Sequence, residues 1–397
     1  MPGSSHQSVI VSSARTPIGK LSGSLSSLSA AELGGLAIAA ALSRAGIRPD
    51  QVDHVVMGHV LQAGQGQNPA RQAAAKGGVP MDVPGVTVNS VCLSGLHSVY
   101  LADQMIRSGE ADVVVAGGME SMSQAPYLLP GARAGWRLGD VTAVDAMIRD
   151  GLWCAFDDVH MGAGTEAYVK QAGISRGVQD ELAAKSHERA SIAAKEGRLK
   201  DEIVPVTIRQ RKDEIVVDAD EGIRPDSTVD SLARLRPAFS PDGTITAGNA
   251  SQISDGAAAV VVVSRAKADE LGLLPLAELA GFGIVAGPDP SLLTQPSRAI
   301  HRALERTGRS VADVDLFEIN EAFAAVSAAS MADLGIGDEV VNVNGGAIAL
   351  GHPIGMSGTR LVMTLVEQLR RGGGGLGAAA LCGGGGQGEA VLVTVGA

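Results

Sequence analysis

The feature that most constrains this 397-residue chain is a pattern that occurs twice: short β-branched runs separated by Ala/Leu-rich stretches of helical length. In the first third, Val9 to Val11, Val52 to Met57, Val86 to Asn89 and Ala111 to Ala116 have the length and apolar character of buried strands. Between them, Ala30 to Ala45, Pro69 to Lys76 and about Ser94 to Arg107 have helical composition. Such alternation predicts an α/β fold with a mostly parallel sheet. The order then returns in the last third. Val52-Asp-His-Val-Val-Met matches Val314-Asp-Leu-Phe-Glu-Ile, Val86-Thr-Val-Asn matches Val341-Asn-Val-Asn, and Val113 to Ala116 matches Ala378 to Leu381. Duplication of a βαβ-type unit is the organising expectation, set against the plainer reading that α/β sequences look alike at this level. If the halves are related, their equivalent loops should converge on one site.

Between the halves, from Glu120 to about Ser251, the sequence is more charged and irregular, with Pro126, Pro130 and Gly131 early and a polar helix, Gln179 to Gly197, in the middle. An inserted domain is expected there. The length suits two or three packed units with a large shared core. A net charge of −11 offers no basic stripe for nucleic acid, so an anionic small ligand would need local cations. Cys92, Cys154 and Cys382 lie far apart with no C-x-x-C pair, which indicates neither a disulfide framework nor a thiolate metal site. The opening residues lack a basic segment followed by a long apolar one, and no run of 18 apolar residues appears elsewhere. A soluble cytoplasmic protein is expected.

The reactive side chains fall in the repeated loops: Cys92 after a first-half strand, and Asn320, His352 and Cys382 in the second half. In open α/β sheets, ligands sit beyond the carboxyl ends of the strands. Cys92 precedes Leu93-Ser-Gly-Leu and a helical stretch, so the helix N-terminus is expected to lower its pKa and make it a nucleophile. A small buried hydrophobe is the alternative. His352, flanked by glycines and fixed by Pro353, suits a positioned base or a structural hydrogen-bonder, and no second His stands at metal-ligand spacing. The run after Leu381 contains G-x-G-x-x-G in Gly383, Gly385 and Gly388, but a dinucleotide loop needs a helix behind it. Here Glu389-Ala-Val-Leu-Val-Thr-Val reads as another strand. The glycines would instead bring backbone N–H groups close to Cys382 to receive an oxyanion, or form a plain flexible turn.

Together, "NSVCLSG" (89–95), "NEAFA" (320–324), "GHPIG" (351–355) and "CGGGGQG" (382–388) resemble the four signature blocks of the thiolases. The resemblance runs over nearly the whole chain, through "GGMESMS" (117–123), "HMGAGTEA" (160–167), "RPAF" (236–239) and "TAGNASQISDGAA" (246–258). It implies duplicated α/β halves in stacked α-β-α-β-α layers with an inserted loop domain. Residues 1–121 and 252–273 would form the N-terminal half, 122–251 the insert with CoA-binding and oligomer contacts, and 274–397 the C-terminal half. Around His160-Met161-Gly162 the insert is most similar to short-chain acetyl-CoA acetyltransferases.

The resemblance implies an acyltransferase of fatty acid metabolism that condenses two acetyl-CoA reversibly to acetoacetyl-CoA and CoA through acetyl-Cys92. His352 would deprotonate Cys92, and Cys382 would be the second acid/base. The enolate oxygen is assigned to His352 and a water held by Asn320, the tetrahedral oxygen to the backbone N–H groups of Cys92 and Gly384. CoA, bound as a substrate, would contact Leu152, His160, Met161, Arg224, Phe239, Ala247 and Ser251. Arg224 would supply a cation for its phosphates, unless it is an ordinary exposed arginine. No metal, redox cofactor, nucleic acid or membrane is implied. A homodimer or homotetramer is, with Ser123 to Asp140 either a subunit contact or a surface loop. Glu321 is expected to bond structurally in preference to acting as a third acid/base, and Cys154 to be inert. Two departures bear on chain length: Leu292-Leu-Thr-Gln-Pro-Ser replaces a Met-Gly-Thr-Gly-Pro run near the acyl pocket, and Asp157-Asp158-Val159 precedes His160. A degradative 3-ketoacyl-CoA thiolase for longer chains therefore stands as an alternative. From other classes come a non-catalytic acyl-CoA binding protein and, more weakly, a NAD-dependent oxidoreductase.

Overall fold

The computed structural model describes residues 7–210 and 213–396. Residues 1–6 and Ala397, which open and close the segments assigned to the two halves and include the N-terminal stretch read above, lie outside the described residues. The first half contributes β1 (Ser8–Arg15), β2 (His54–Gly58), β3 (Gly85–Val88), β4 (Val113–Ser121) and β5 (Ser254–Ser264), in the order β3-β2-β4-β5-β1. The second half contributes β6 (Ala277–Ala286), β7 (Leu316–Ile319), β8 (Gly375–Gly383) and β9 (Gln387–Val395), in the order β7-β8-β9-β6. Both halves run from parallel pairing into two antiparallel pairs: β3–β2–β4 then β5 and β1, and β7–β8 then β9 and β6. The duplication is thus visible as topology. Among the described residues the halves join in the sheet through two pairs, Val9 with Glu278 and Ile10 with Ala277.

Two expectations are corrected. The sheet is mixed where a mostly parallel one was expected. β8 and β9 are joined by a tight turn in which Gly385 and Gly386 take φ of 80° and 67°, and strands joined so closely can only run antiparallel. Val341 to Asn344 is not a strand, although Val341 bridges Phe317 in parallel as β3 does β2. Asn342 instead takes φ of 47° and turns its amide onto β7, where Oδ1 accepts from Ile319 N and Nδ2 donates to Ile319 O, both at 2.8 Å.

The helices relevant to the site are α1 (Ala30–Ala45), α2 (Pro69–Lys76), α3 (Ser94–Ser108), α4 (Met161–Ala172), α5 (Arg176–Lys195), α6 (Gln295–Thr307), α7 (Ala324–Leu334) and α8 (Ser357–Arg371). Alternation along the strands sorts them into layers. Val9 and Val11 face α1, packing with Leu33 and Ile38, whereas Ile10 faces the opposite core. That core holds α3 (Leu96, Val99, Ile106) and α8 (Leu361, Leu365, Leu369) between Val260 and Val262 of β5 and Val391 and Val393 of β9. Ile300 of α6 and Leu334 of α7 cover the far face of the second half, on Phe317 and Leu392. The order is therefore α-β-α-β-α. Helix α8 is buried on all sides from Ser357 to Val366. Truncating one of its leucines, for example Leu361→Ala, should cost ~2–5 kcal/mol.

Local chemistry fixes the element ends. Ser29 and Glu32 form a capping box at α1, with Glu32 N to Ser29 Oγ at 3.3 Å and Ser29 N to Glu32 Oε2 at 2.9 Å, and Gly46 closes the helix with φ of 68°. The polar helix α5 starts earlier than expected because Ser175 caps it, accepting from Val178 N at 3.3 Å. Arg15, fully buried at the end of β1, ties down the insert: Nε reaches Glu202 at 2.8 Å, and Nη1 and Nη2 reach Asp220 at 2.7 and 2.9 Å. A buried guanidinium is tolerated only with such complete pairing. Among the described residues, no helix is long and apolar enough to cross a membrane.

Candidate active site

Cys92 lies in the turn between β3 and α3, and each polar neighbour holds one part of that turn. Asn89 Oδ1 accepts from Val91 N at 3.0 Å; Ser94 Oγ accepts from Ser90 N at 2.8 Å and donates to Val91 O at 2.6 Å. Between these bonds Val91 takes φ of 51°, a region that β-branched residues avoid at a cost of ~1–3 kcal/mol. The clamped, strained turn aims the cysteine. The expected lowering of its pKa does not hold: burial pushes the Cys92 thiol up to about 12, and the charge of Glu120 adds to the rise. Desolvation of an anion here outweighs the helix N-terminus and the residue's own N–H.

His352 stands before α8, also buried. Its Nδ1 is 2.6 Å from Ser357 Oγ, which in turn donates to Pro353 O at 2.9 Å. With the hydroxyl proton on Pro353 O, Nδ1 carries the ring proton and donates to Ser357, an assignment that follows from the bonding pattern. The Nε2 lone pair then faces Asn320, whose Nδ2 is 3.4 Å away. Burial, then the charge of Arg360, lowers His352 to about 3, so the ring is neutral. Asn320 directly follows β7, is held by its N–H on Ala380 O at 2.9 Å, and has a buried Oδ1 without a hydrogen-bond partner. Glu321 beside it is occupied structurally: it accepts from Ser186 Oγ at 2.6 Å, Asn342 Nδ2 at 3.0 Å and Ile348 N at 3.0 Å.

Cys382 is paired with Gly388 near the end of β8 and is 1% exposed. Burial first, then the charge of Cys92, pushes its thiol up. A Cβ on Gly383 would stand 2.6 Å from Leu93 Cγ, so the residues that follow the two cysteines meet. The glycine run is a β-hairpin turn, so no helix meets a pyrophosphate there. A Cβ on Gly384 would touch Val91 Cγ1 at 3.4 Å and Met161 Cε at 3.7 Å, so that backbone lies against the Cys92 turn. Leu292 and Leu293, from the departing run, share an apolar cluster with Cys382 and Phe323, and Met161 packs against it.

Next to this cluster opens a cavity of about 470 Å³, continuous with solvent. Leu152, His160, Arg224, Phe239, Ala247 and Ser251 line it; Met161 is instead turned toward Gly384. His160 stacks on Phe239 at 4.8 Å and 26°, and its Nδ1 accepts from Gly162 N at 3.1 Å at the start of α4. Phe239 meets Phe323 edge-on at 6.3 Å. Arg224 is exposed on the lining, with its N–H on His187 Nδ1 at 3.1 Å, and Lys20 adds a second cation. Cys154 is buried, its sulfur accepting from Asp157 N at 3.5 Å. Among the described residues, no group of three His, Cys, Asp or Glu side chains could hold a metal ion.

Sequence reading missed Lys20, Val91, Ser357 and Glu120. Ser357 carried a usable signal, a hydroxyl five residues past a loop histidine at a helix start. Lys20 carried none, since only the fold brings it to the cavity.

The chain matches the family models "Thiolase, N-terminal domain" over residues 8–266 and "Thiolase, C-terminal domain" over residues 273–395. A probable acetyl-CoA acetyltransferase of Mycobacterium tuberculosis is 56% identical over 390 residues, covering 98% of this chain and 99% of the relative. An acetyl-CoA acetyltransferase of Cupriavidus necator is 52% identical, covering 97% and 98%. The crystal structure of the Bacillus anthracis acetyl-CoA acetyltransferase has a TM-score of 0.96 at 41% identity, covering 98% of this chain and 99% of that one.

Proposed function

The chain belongs to the thiolase family, and on that premise we propose that it is an acetyl-CoA C-acetyltransferase, joining two acetyl-CoA into acetoacetyl-CoA and CoA or running the reverse. The observation that carries this reading is the meeting of loops from both halves. Cys92 comes from the first, and Asn320, His352 and Cys382 from the second, beside a cavity that shares Phe323 with the cluster around Cys382.

His352 Nε2 takes the Sγ proton of Cys92 as the sulfur attacks the thioester carbonyl. Neither group charges readily alone in the buried site, so thiolate and imidazolium form as a pair. The expelled CoA leaves as a thiol with the Sγ proton of Cys382, the acetyl group stays on Cys92, and the proton taken from Cys92 stays on His352 Nε2 until the Cys92 thiolate is freed again. Cys382 then removes an α-proton from the second acetyl-CoA; the resulting carbanion attacks acetyl-Cys92, forming the carbon–carbon bond and freeing the Cys92 thiolate, which regains a proton. The N–H groups of Cys92 and Gly384 serve the tetrahedral oxygen, and the Nε2–H of His352 with a water on Asn320 Oδ1 serves the enolate. The unpartnered, buried Oδ1 supports that water. Each such donor is typically worth ~3–4 kcal/mol.

CoA is the substrate, and no metal or redox cofactor enters these steps. Arg224 and Lys20 offer its phosphates two cations, and the His160–Phe239 stack gives its apolar parts a surface. Leu292 and Leu293 wall the space near Cys382 and favour a short acyl group; one methylene shifts such a preference by ~1–3 kcal/mol. We place the enzyme in the cytoplasm, in fatty acid metabolism, because free catalytic thiols suit a reducing compartment. The exposed Tyr127, Leu129, Trp136 and Leu138 support a subunit contact in a dimer or tetramer.

The deciding experiment compares CoA-dependent loss of acetoacetyl-CoA by the wild type and Cys92→Ala, then thiolysis rates from C4 to C16. Activity confined to the wild type and highest at C4 is expected. A preference for C8 or longer would make the enzyme a degradative thiolase, and turnover by Cys92→Ala would remove the covalent mechanism.

A further inference from the structure

We propose that Glu120 is a positioning residue which, with a socket of three glycines, sets where the His352 loop stands relative to the Cys92 turn. The proposal rests on the assignment of Cys92 as nucleophile and His352 as base. Glu120, near the end of β4, is fully buried, and its carboxylate meets donors from two loops. Oε2 accepts from Val60 N at 3.1 Å and Gly355 N at 3.0 Å; Oε1 accepts from Leu61 N at 3.1 Å and lies 3.2 Å from His59 Nε2. His59, Val60 and Leu61 leave β2 in the first half, whereas Gly355 is three residues past His352 in the second. One buried charge therefore bonds both halves beside the reacting groups, and bonds to an ionised acceptor are roughly twice as strong as neutral ones.

The other side of the same peptide is held by shape. A Cβ on Gly58 would stand 2.7 Å from Gly355 O, one on Gly95 would stand 2.8 Å from it, and one on Gly118 would be closer still. These glycines come from β2, from α3 three residues after Cys92, and from β4. In return, a Cβ on Gly355 would lie 2.7 Å from Met119 O and 2.8 Å from Glu120 Oε2. Gly355 thus has its N–H latched by Glu120 and its carbonyl lodged where only glycine backbone leaves space. His352 is otherwise tied through Ser357, through Asn320 Nδ2 at 3.4 Å and through its own N–H to Gln252 O at 3.0 Å and Ser254 Oγ at 3.3 Å, all outside the Cys92 turn. Among the described residues the sheet joins the halves through two residue pairs, so the relative placement of nucleophile and base needs local fastening, and this contact supplies it together with Thr359 Oγ1, which donates to Gly95 O at 2.8 Å.

The test uses Glu120→Gln, which removes the charge, and Gly118→Ala, which keeps the charge and fills the socket. Thiolysis of acetoacetyl-CoA and alkylation of Cys92 by iodoacetamide are measured for each, with folding checked by circular dichroism. A misplacement near 1 Å predicts a fall in kcat of ~100-fold. KM should stay within about twofold, since neither residue lines the CoA cavity. Alkylation should slow in both variants. A purely electrostatic role predicts the opposite for Glu120→Gln, because Glu120 raises the Cys92 thiol and its loss would speed alkylation. Faster alkylation, or kcat within about threefold of wild type in a folded variant, overturns the proposal. If Glu120→Gln does not fold, Gly118→Ala decides alone. A wild type without turnover, or an active Cys92→Ala, would instead refute the parent assignment.

Discussion

Replacing Ser357 by Ala isolates the control of the His352 tautomer. Ser357 Oγ is the partner of Nδ1 at 2.6 Å in a site where the ring is 5% exposed, so its removal leaves a buried N–H unpaired. Such a group costs ~1–3 kcal/mol. The ring can relieve that cost by moving the proton to Nε2, the nitrogen that must accept from Cys92. Either outcome raises the barrier to Cys92 activation by a similar amount, which is a loss in kcat of roughly 5- to 150-fold. KM should hold, since Ser357 is absent from the lining of the CoA cavity. The assay is steady-state thiolysis of acetoacetyl-CoA alongside single-turnover acetylation of Cys92, and both should slow together. Full-rate acetylation in a folded Ser357→Ala protein would refute the tautomer argument. Slow turnover with normal acetylation would move the role of Ser357 to the second half-reaction.

Three further outcomes are expected. Cys92→Ala should yield no acetyl-enzyme, whereas Cys382→Ala should still be acetylated by radiolabelled acetyl-CoA yet form no acetoacetyl-CoA; loss of labelling in Cys382→Ala would contradict the division of roles. Arg224→Ala and Lys20→Ala should each raise the KM for CoA ~3- to 10-fold with kcat spared, an effect that shrinks at high salt; a salt-independent KM would argue against phosphate contact. His187 is lowered from 6.5 to about 4, by burial and then by Arg224, so below pH 6.5 the unfolded chain binds a proton that the folded chain refuses. Stability present above pH 6.5 is therefore lost as pH falls toward 4, by up to ~1.4 kcal/mol per unit. In urea titrations His187→Gln should show a shallower decline over that window, and equal slopes would exclude the linkage.

How far the sequence could be read depended on where the information lies. The ends of α1 and α2 were legible because Ser29, Asn68 and Pro69 act within one turn of themselves. The four chemical blocks were legible because each is a short contiguous run, and three of them carry glycines that mark a turn. Strand direction was not, since β5 and β9 owe their antiparallel placement to pairing partners that local composition does not specify. The thiol of Cys92 was misjudged for a related reason: the helix N-terminus is local and readable, whereas desolvation comes from residues far along the chain. Asn342 misled the strand reading because, after one backbone bond to Phe317 O, its side-chain amide takes over both bonds to Ile319 that a continuing strand would make with its backbone.

The position of β1 also bears on how a nascent chain reaches this structure. Its partners are β5 and β6, so a strand synthesised well before either of them becomes the middle of the sheet. From Arg15 to Ser254 the ribosome must add about 240 residues, which at 5–20 residues per second takes roughly 10–50 s. Throughout that time Ser8–Arg15, buried at every position in the finished protein, lacks its partner strands and leaves Val9, Ile10 and Val11 uncovered. The soluble yield of this chain is therefore expected to rise with chaperone supply during elongation, which co-expression would check.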